Sequence, residues 1–179
     1  SLRNFAFRHA NTVSNKVGYK ISSQYYAGTD WKYVDPVEVD RRGSNPRSYD
    51  VERTTSEIQL DFRPTDEFSA IVAGGFTQAS NIELTGLGAA QAKDWRYTFF
   101  QGRLQFQEFF TQLFMNRSDA GKTTLLQRGD LMVDESSLTV FQARNATNLG
   151  RRQRFTYGFD ILRTRPKTGG TINGENEDR

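Results

Sequence analysis

Glu57-Ile58-Gln59-Leu60-Asp61-Phe62-Arg63-Pro64-Thr65-Asp66-Glu67-Phe68-Ser69-Ala70-Ile71-Val72 alternates apolar and polar side chains, pauses at a proline-led polar turn, and then resumes its two-residue period. Successive side chains of a strand point to opposite faces. Ile58, Leu60 and Phe62 therefore share one oily face, while Glu57, Gln59 and Asp61 share a wet one. Phe68, Ala70 and Val72 repeat the pattern after Pro64-Thr65-Asp66-Glu67, so the run predicts two antiparallel strands joined by a short turn.

The same period recurs on both sides of this hairpin, in Val17-Tyr19-Ile21, in Phe100-Gly102-Leu104-Phe106, and in Phe155-Tyr157-Phe159-Ile161 with Leu162 as an imperfect member. Helical periodicity is hard to find. The pattern predicts eight strands, near 2–9, 16–28, 51–63, 68–80, 95–107, 109–117, 137–148 and 153–165. Their connections alternate in length. Residues 11–15, 64–67, 108 and 149–152 make short turns, while 29–50, 81–94, 118–136 and the tail after Arg165 are long. Short turns at one end, long loops at the other, and strands longer than the ~5–6 residues usual in soluble sheets suit a transmembrane barrel. The expected class is all-β: an antiparallel up-and-down meander of about eight long strands, an open curved sheet or incomplete barrel belonging to a larger transmembrane β-barrel.

Composition agrees with a two-faced wall. Of 179 residues, 36% are hydrophobic, and 24 basic residues stand against 21 acidic ones, so the charge of +3 describes no polycationic surface. No segment approaches the ~18 consecutive apolar residues of a membrane helix. With no cysteine and one histidine, His9, disulfide frameworks, thiolate metal sites and multi-histidine metal sites are excluded. Lys20, Glu57, Gln59, Asp61, Thr77, Arg103, Gln105, Gln142, Arg144, Asp160 and Arg163 are too many polar strand residues for a dry core, and they suit a wet lumen. Phe62, Phe68, Phe106, Phe109, Phe110 and Phe155 flank the short turns, while Tyr25, Tyr26, Trp31, Tyr33, Trp95 and Tyr97 lie near the long loops, as two interfacial girdles would. The alternation begins within the first residues and the chain ends on a polar run, so both termini are expected to be truncation points.

Several stretches resemble TonB-dependent outer-membrane receptors: Arg8-His9-Ala10, then Lys16-Val17-Gly18-Tyr19-Lys20-Ile21-Ser22 on to Tyr25 and Gly28-Thr29-Asp30-Trp31 as early barrel strands; Leu60-Asp61-Phe62-Arg63-Pro64-Thr65-Asp66 at a periplasmic turn; Asn81-Ile82-Glu83-Leu84-Thr85-Gly86 in an outer loop; and Arg154-Phe155-Thr156-Tyr157-Gly158-Phe159-Asp160. The resemblance lies in their order and spacing across nearly the whole chain. It implies a barrel of about 22 strands around a plug, in the outer membrane of a Gram-negative bacterium. Such a receptor imports a scarce ligand, an iron-siderophore, cobalamin or a glycan, with energy from the TonB complex. Residues 1–179 would be a β-barrel segment after the plug, with the plug, the TonB box and the remaining strands outside it. The implied partners are outer-membrane lipid, the TonB complex through those other segments and a small-molecule ligand, with no nucleic acid and no cofactor.

Asp30, Trp31, Lys32 and Tyr33 after the second strand, and Lys93, Asp94, Trp95 and Arg96 entering the fifth, combine aromatic faces with charges. They are the candidate ligand contacts, an interface girdle with ordinary loop charges being the simpler account. Asn116-Arg117-Ser118-Asp119-Ala120-Gly121-Lys122-Thr123 imitates the end of a phosphate-binding loop but has asparagine where glycine is required. Asn116-Arg117-Ser118 and Asn145-Ala146-Thr147 match glycosylation sequons by coincidence. Asp119, Asp130, Asp134 and Glu135 in one loop offer oxygen ligands, although a solvated loop explains them better. Arg151-Arg152-Gln153-Arg154 lacks a recognition helix, and lipid phosphates or water account for it. No acid–base or nucleophile–base pair points to an enzyme. Two other architectures remain open: a complete eight-stranded outer-membrane barrel, whose first and last strands would pair, and a soluble carbohydrate-binding protein of two stacked sheets around a dry core.

Overall fold

The computed structural model describes residues 2–172. Its elements in chain order are β1 (Arg3–Ser14), β2 (Val17–Thr29), α1 (Pro36–Arg42), β3 (Asp50–Thr65), β4 (Phe68–Thr85), β5 (Gly88–Phe106), β6 (Phe109–Asp119), β7 (Thr124–Leu125), β8 (Ser137–Leu149) and β9 (Gln153–Arg165). All strands belong to one antiparallel sheet in the order β1-β2-β3-β4-β5-β6-β8-β9, with β7 paired to β5. Each long strand neighbours its successor in sequence, the meander expected from the short turns.

The sheet is open. Phe5 and Phe7 pair with Tyr25 and Ser23 of β2, while Phe159 and Ile161 pair with Ala143 and Phe141 of β8. The two edge strands therefore do not meet, and this chain is not a closed eight-stranded barrel. A single sheet also leaves no second layer for a sandwich core. Ile58, Leu60, Phe62, Phe159 and Ile161 are each about half exposed on the surface.

The predicted strands are all present, most of them longer than expected, with one substantive correction. Residues 81–94 are not a loop: β4 and β5 run on to a tight turn at Gly86-Leu87, where Thr85 pairs with Gly88. Pairing shifts between Ala79↔Trp95 and Asn81↔Ala92, so Ser80 faces both Lys93 and Asp94, with Asp94 at φ 60. This bulge breaks the two-residue period. The small side chains Ala90 and Ala92 beyond it have no amphipathic signature of their own, because residues 120–132 cover them completely.

The 29–50 connection holds a helix that alternation could not reveal. Asp35 accepts from the Val37 amide at 2.9 Å, Pro36 opens the helix, and Gly43 at φ 72 closes it through an amide bond to the Val39 carbonyl at 2.8 Å.

Candidate functional site

The strand register assigns every wall residue to a face. Across the sheet, Tyr19, Leu60, Val72, Gly102, Leu113, Phe141 and Ile161 form one outward row. The neighbouring row is Val17, Phe62, Ala70, Leu104, Thr111, Ala143 and Phe159. No charged residue interrupts either row. Phe68, Phe106 and Phe109 adjoin them on the short-turn side, with ring centroids of Phe62 and Phe68 6.0 Å apart and of Phe68 and Phe106 6.4 Å apart. Phe110 is the exception among the expected lower girdle. It faces the other way, under the Arg144 guanidinium at 4.7 Å.

The apolar belt crosses the hydrogen-bonded rows obliquely. On β1 it consists of Phe5 and Phe7, but the row through Phe7 reaches β9 at Arg165, well beyond β9's own apolar run from Phe155 to Ile161. From β1 to β9 the belt slips by about eight residues over seven pairings, mostly between β1 and β3 and again at β9, while from β3 to β8 it nearly follows the rows; averaged over the sheet, with ~3.3 Å rise and ~4.8 Å strand spacing, this corresponds to roughly 35°.

The opposite face is polar and indented. Lys20 pairs with Glu57 at 2.6 Å, and Asp61 accepts from Gln59 at 2.8 Å and from Arg63 at 3.0 Å. Gln101 donates to Gln112 at 3.1 Å, and Gln112 donates to Gln142 at 3.4 Å, which carries an amide ladder across three strands. An open trough of about 650 Å³ near the short turns is lined by Arg63, Ser69, Arg103, Gln105 and Arg144. A second, of about 570 Å³ near the long loops, is lined by Tyr26, Arg53, Thr55, Thr77, Asn81 and Tyr97.

That second trough gathers only part of what the sequence singled out. Trp95 lies toward it, stacked on Tyr97 with centroids 6.1 Å apart and planes 17° from parallel, and its Nε1 donates to Ser118 Oγ at 3.0 Å. Tyr26, Trp95 and Tyr97 thus belong to the indented face rather than to an outer girdle. The next residue along the strand, Arg96, is on the outward face, where it donates to Gln78 and lies over Phe76 at 5.8 Å. Asp94 accepts from Gln78 at 3.0 Å, and Lys93 forms backbone links to Lys122 and Thr123.

The other candidate group is spread through its loop. Asp30 bonds the Trp31 amide at 2.7 Å, Trp31 is 84% exposed, Lys32 is exposed, and the Tyr33 carbonyl accepts from Tyr49 at 2.6 Å. No hydrogen bond, ion pair or ring contact joins the two groups among the described residues. Asn81 and Glu83 were missed because they lay in the supposed loop. Asn81 donates to Glu83 at 2.8 Å, and its Oδ1 is buried without a partner among the described residues.

Above the trough, the loops pack on one another. Glu38, 1% exposed, receives Arg47 Nε at 2.6 Å and Nη2 at 2.8 Å, and Asp35 lies 3.8 Å from the same guanidinium. The hydrogen bond that Arg47 donates to Glu38 is the main reason that its guanidinium is held charged above its ordinary range. Ala90, Ala92, Ala120, Thr123, Leu126 and Met132 are buried together at this end. The Leu126 amide reaches the Ala89 carbonyl at 2.9 Å, and Ser48 donates to Gln91 at 2.8 Å. Gly129 adopts φ 79, which L side chains rarely take, and the Arg42 guanidinium lies where its Cβ would be.

The resemblance to a phosphate loop dissolves in this packing. The amides of Gly121, Lys122 and Thr123 already bond Asp119, Lys93 and Ala120. Asp119, Asp130, Asp134 and Glu135 do not converge on a common point among the described residues, and Glu135 pairs with Lys167. His9 contacts Tyr19, with Nε2 3.0 Å from the phenol oxygen. Arg154 pairs with Glu108 at the short-turn end.

Comparison with protein-family models, with curated proteins and with solved structures gave no match for this chain.

Proposed function

We propose that this chain is part of the wall of a transmembrane β-barrel in a bacterial outer membrane, of the TonB-dependent receptor type that its sequence resembles. The oblique outward belt carries the reading. A barrel's strands tilt by ~35–45° from its axis, so a band parallel to the membrane must cross the rows at a similar angle. A soluble sheet offers no reason for an apolar, uncharged band to shift by about eight residues between its two edge strands. The polar indented face would line the lumen, and the two unpaired edges would continue into further strands. In this role the chain contributes to uptake of a scarce ligand, an iron-siderophore, cobalamin or a glycan. The Trp95–Tyr97 stack beside Arg53, Asn81 and Glu83 supplies ring faces and hydrogen-bonding groups at the mouth. Lys93, Asp94 and Arg96 and the loop residues Asp30 to Tyr33 do not line it.

The chain has no cysteine, which makes the test direct. Single cysteines at Leu60, Leu113 and Phe141, and at their neighbours Gln59, Gln112 and Gln142, are introduced into the chain refolded in phosphatidylcholine vesicles. The first three should resist a water-soluble maleimide and quench with a bromine-labelled lipid after fluorophore attachment, while the second three should show the reverse. Equal aqueous labelling of both sets would refute the membrane reading.

A further inference from the structure

The outward face changes character in steps on the long-loop side of the belt. Across β5, β6, β8 and β9, the last apolar row is Gly102, Leu113, Phe141 and Ile161. The next is Phe100, Met115, Thr139 and Arg163, and the one after that is Thr98, Arg117, Ser137 and Arg165. One step further out, Arg96 is opposite Asp119, and Glu135 is joined to Lys167.

Charges in the outermost row thus answer one another, whereas the side chains of Arg117, Arg163 and Arg165 form no ion pair or hydrogen bond among the described residues. Asp119, two residues beyond Arg117, accepts from the Gly121 amide. All three arginines are exposed. Arg117 and Arg165 share a row two strand spacings, or ~10 Å, apart, and Arg163 is ~7 Å along the strand from Arg165. Ser137 and Thr139 place hydroxyls between them.

We infer that this patch holds the phosphate-bearing head group of a lipid in the leaflet nearest the long loops, with the acyl chains lying down the adjoining belt. Three observations commit the patch to a lipid rather than to a free anion. The arginines occupy the two rows that directly border the apolar band. Hydroxyl donors are interleaved with them, and the acids are held one row further from the band. Guanidinium groups fork onto phosphate oxygens in two-point contacts, and a desolvated interface strengthens such bonds. The inference rests on the transmembrane reading above.

The chain is refolded in phosphatidylcholine vesicles and titrated with diphosphoryl lipid A, and retained lipid is read by native mass spectrometry. Wild type should retain the phosphorylated lipid, and the R117Q/R163Q/R165Q variant should bind on the order of a hundred-fold more weakly. R151Q/R152Q, at the short-turn end, should bind as wild type does. Lipid A stripped of its phosphates should bind wild type no better than phosphorylated lipid binds the triple variant, and this comparison stands even if the variant folds poorly. Equal retention of phosphorylated and stripped lipid overturns the proposal, as does equal binding by wild type and a well-folded triple variant. Displacement by millimolar inorganic phosphate would mark a free-anion site and also overturn it. Wild type that inserts but shows no phosphate preference defeats this proposal alone. Wild type that fails to insert into plain phosphatidylcholine defeats the membrane reading with it.

Discussion

The wall and the loop cluster are built on opposite principles. Every residue of β1 is exposed, all but one of β9 are exposed, and among the described residues Ala73 is the one buried apolar strand residue outside the stretch of β5 that the loops cover at Ala90 and Ala92. The loop cluster, in contrast, excludes water around Leu126, Met132, Thr123 and Glu38, each no more than 3% exposed. Its stability comes from within. The wall holds together through backbone ladders, and its apolar rows stay about half exposed. Half-exposed phenylalanines on a single open sheet form an apolar surface larger than a monomer in water usually shows.

The largest expected effect breaks the cluster without touching the wall. Arg47→Met leaves the Glu38 carboxylate buried without its counter-charge, and removing one partner of a buried pair costs about 3–5 kcal/mol. Hydrogen exchange should accelerate through residues 30–49 while β3 and β4 keep their protection. Unchanged exchange in that loop would mean that the pair is not what holds it.

A somewhat smaller effect should separate the two faces of the wall. Leu113→Arg sets a charge in the middle of the belt, at a cost of about 2–4 kcal/mol near a bilayer midplane. Gln112→Arg, one residue away on the polar face, should fall within about 0.5 kcal/mol of wild type. Urea titration of the vesicle-folded chain compares them, and similar losses would erase the distinction between the faces. The smallest effect belongs to the polar ladder itself. Lys20 and Glu57 are about a quarter to a third exposed, so Lys20→Gln should cost less than about 1 kcal/mol in the same titration.

Much of the wall was legible because a strand's period is local. Ile58, Leu60 and Phe62 declare their shared face without reference to any other strand, and the polar turns declare where each hairpin closes. The extension of β4 and β5 was hidden for a physical reason: the bulge at Ser80 resets the alternation, and Ala90 and Ala92 are small because another segment rests on them. The helix left a fainter trace, in Asp35-Pro36 at its start and Gly43 at its end. Of the candidate contacts, Trp95 reached the trough. Arg96 did not, because adjacent strand residues cannot share a face. Glu83 and Asn81 joined the site only once 81–94 was a hairpin.

The sequence by itself determined the all-β class, the strand order and the division of each strand into an apolar and a polar side, since each follows from neighbours along the chain. The tertiary structure decided what depends on register between strands. It set the obliquity of the belt, turned Trp95 and Tyr97 to the indented face, brought Arg47 onto Glu38, and placed Arg117 of β6 across β8 from Arg163 and Arg165 of β9 on one face. Register is a relation between residues far apart in sequence, and a shift of one residue would invert every face it joins.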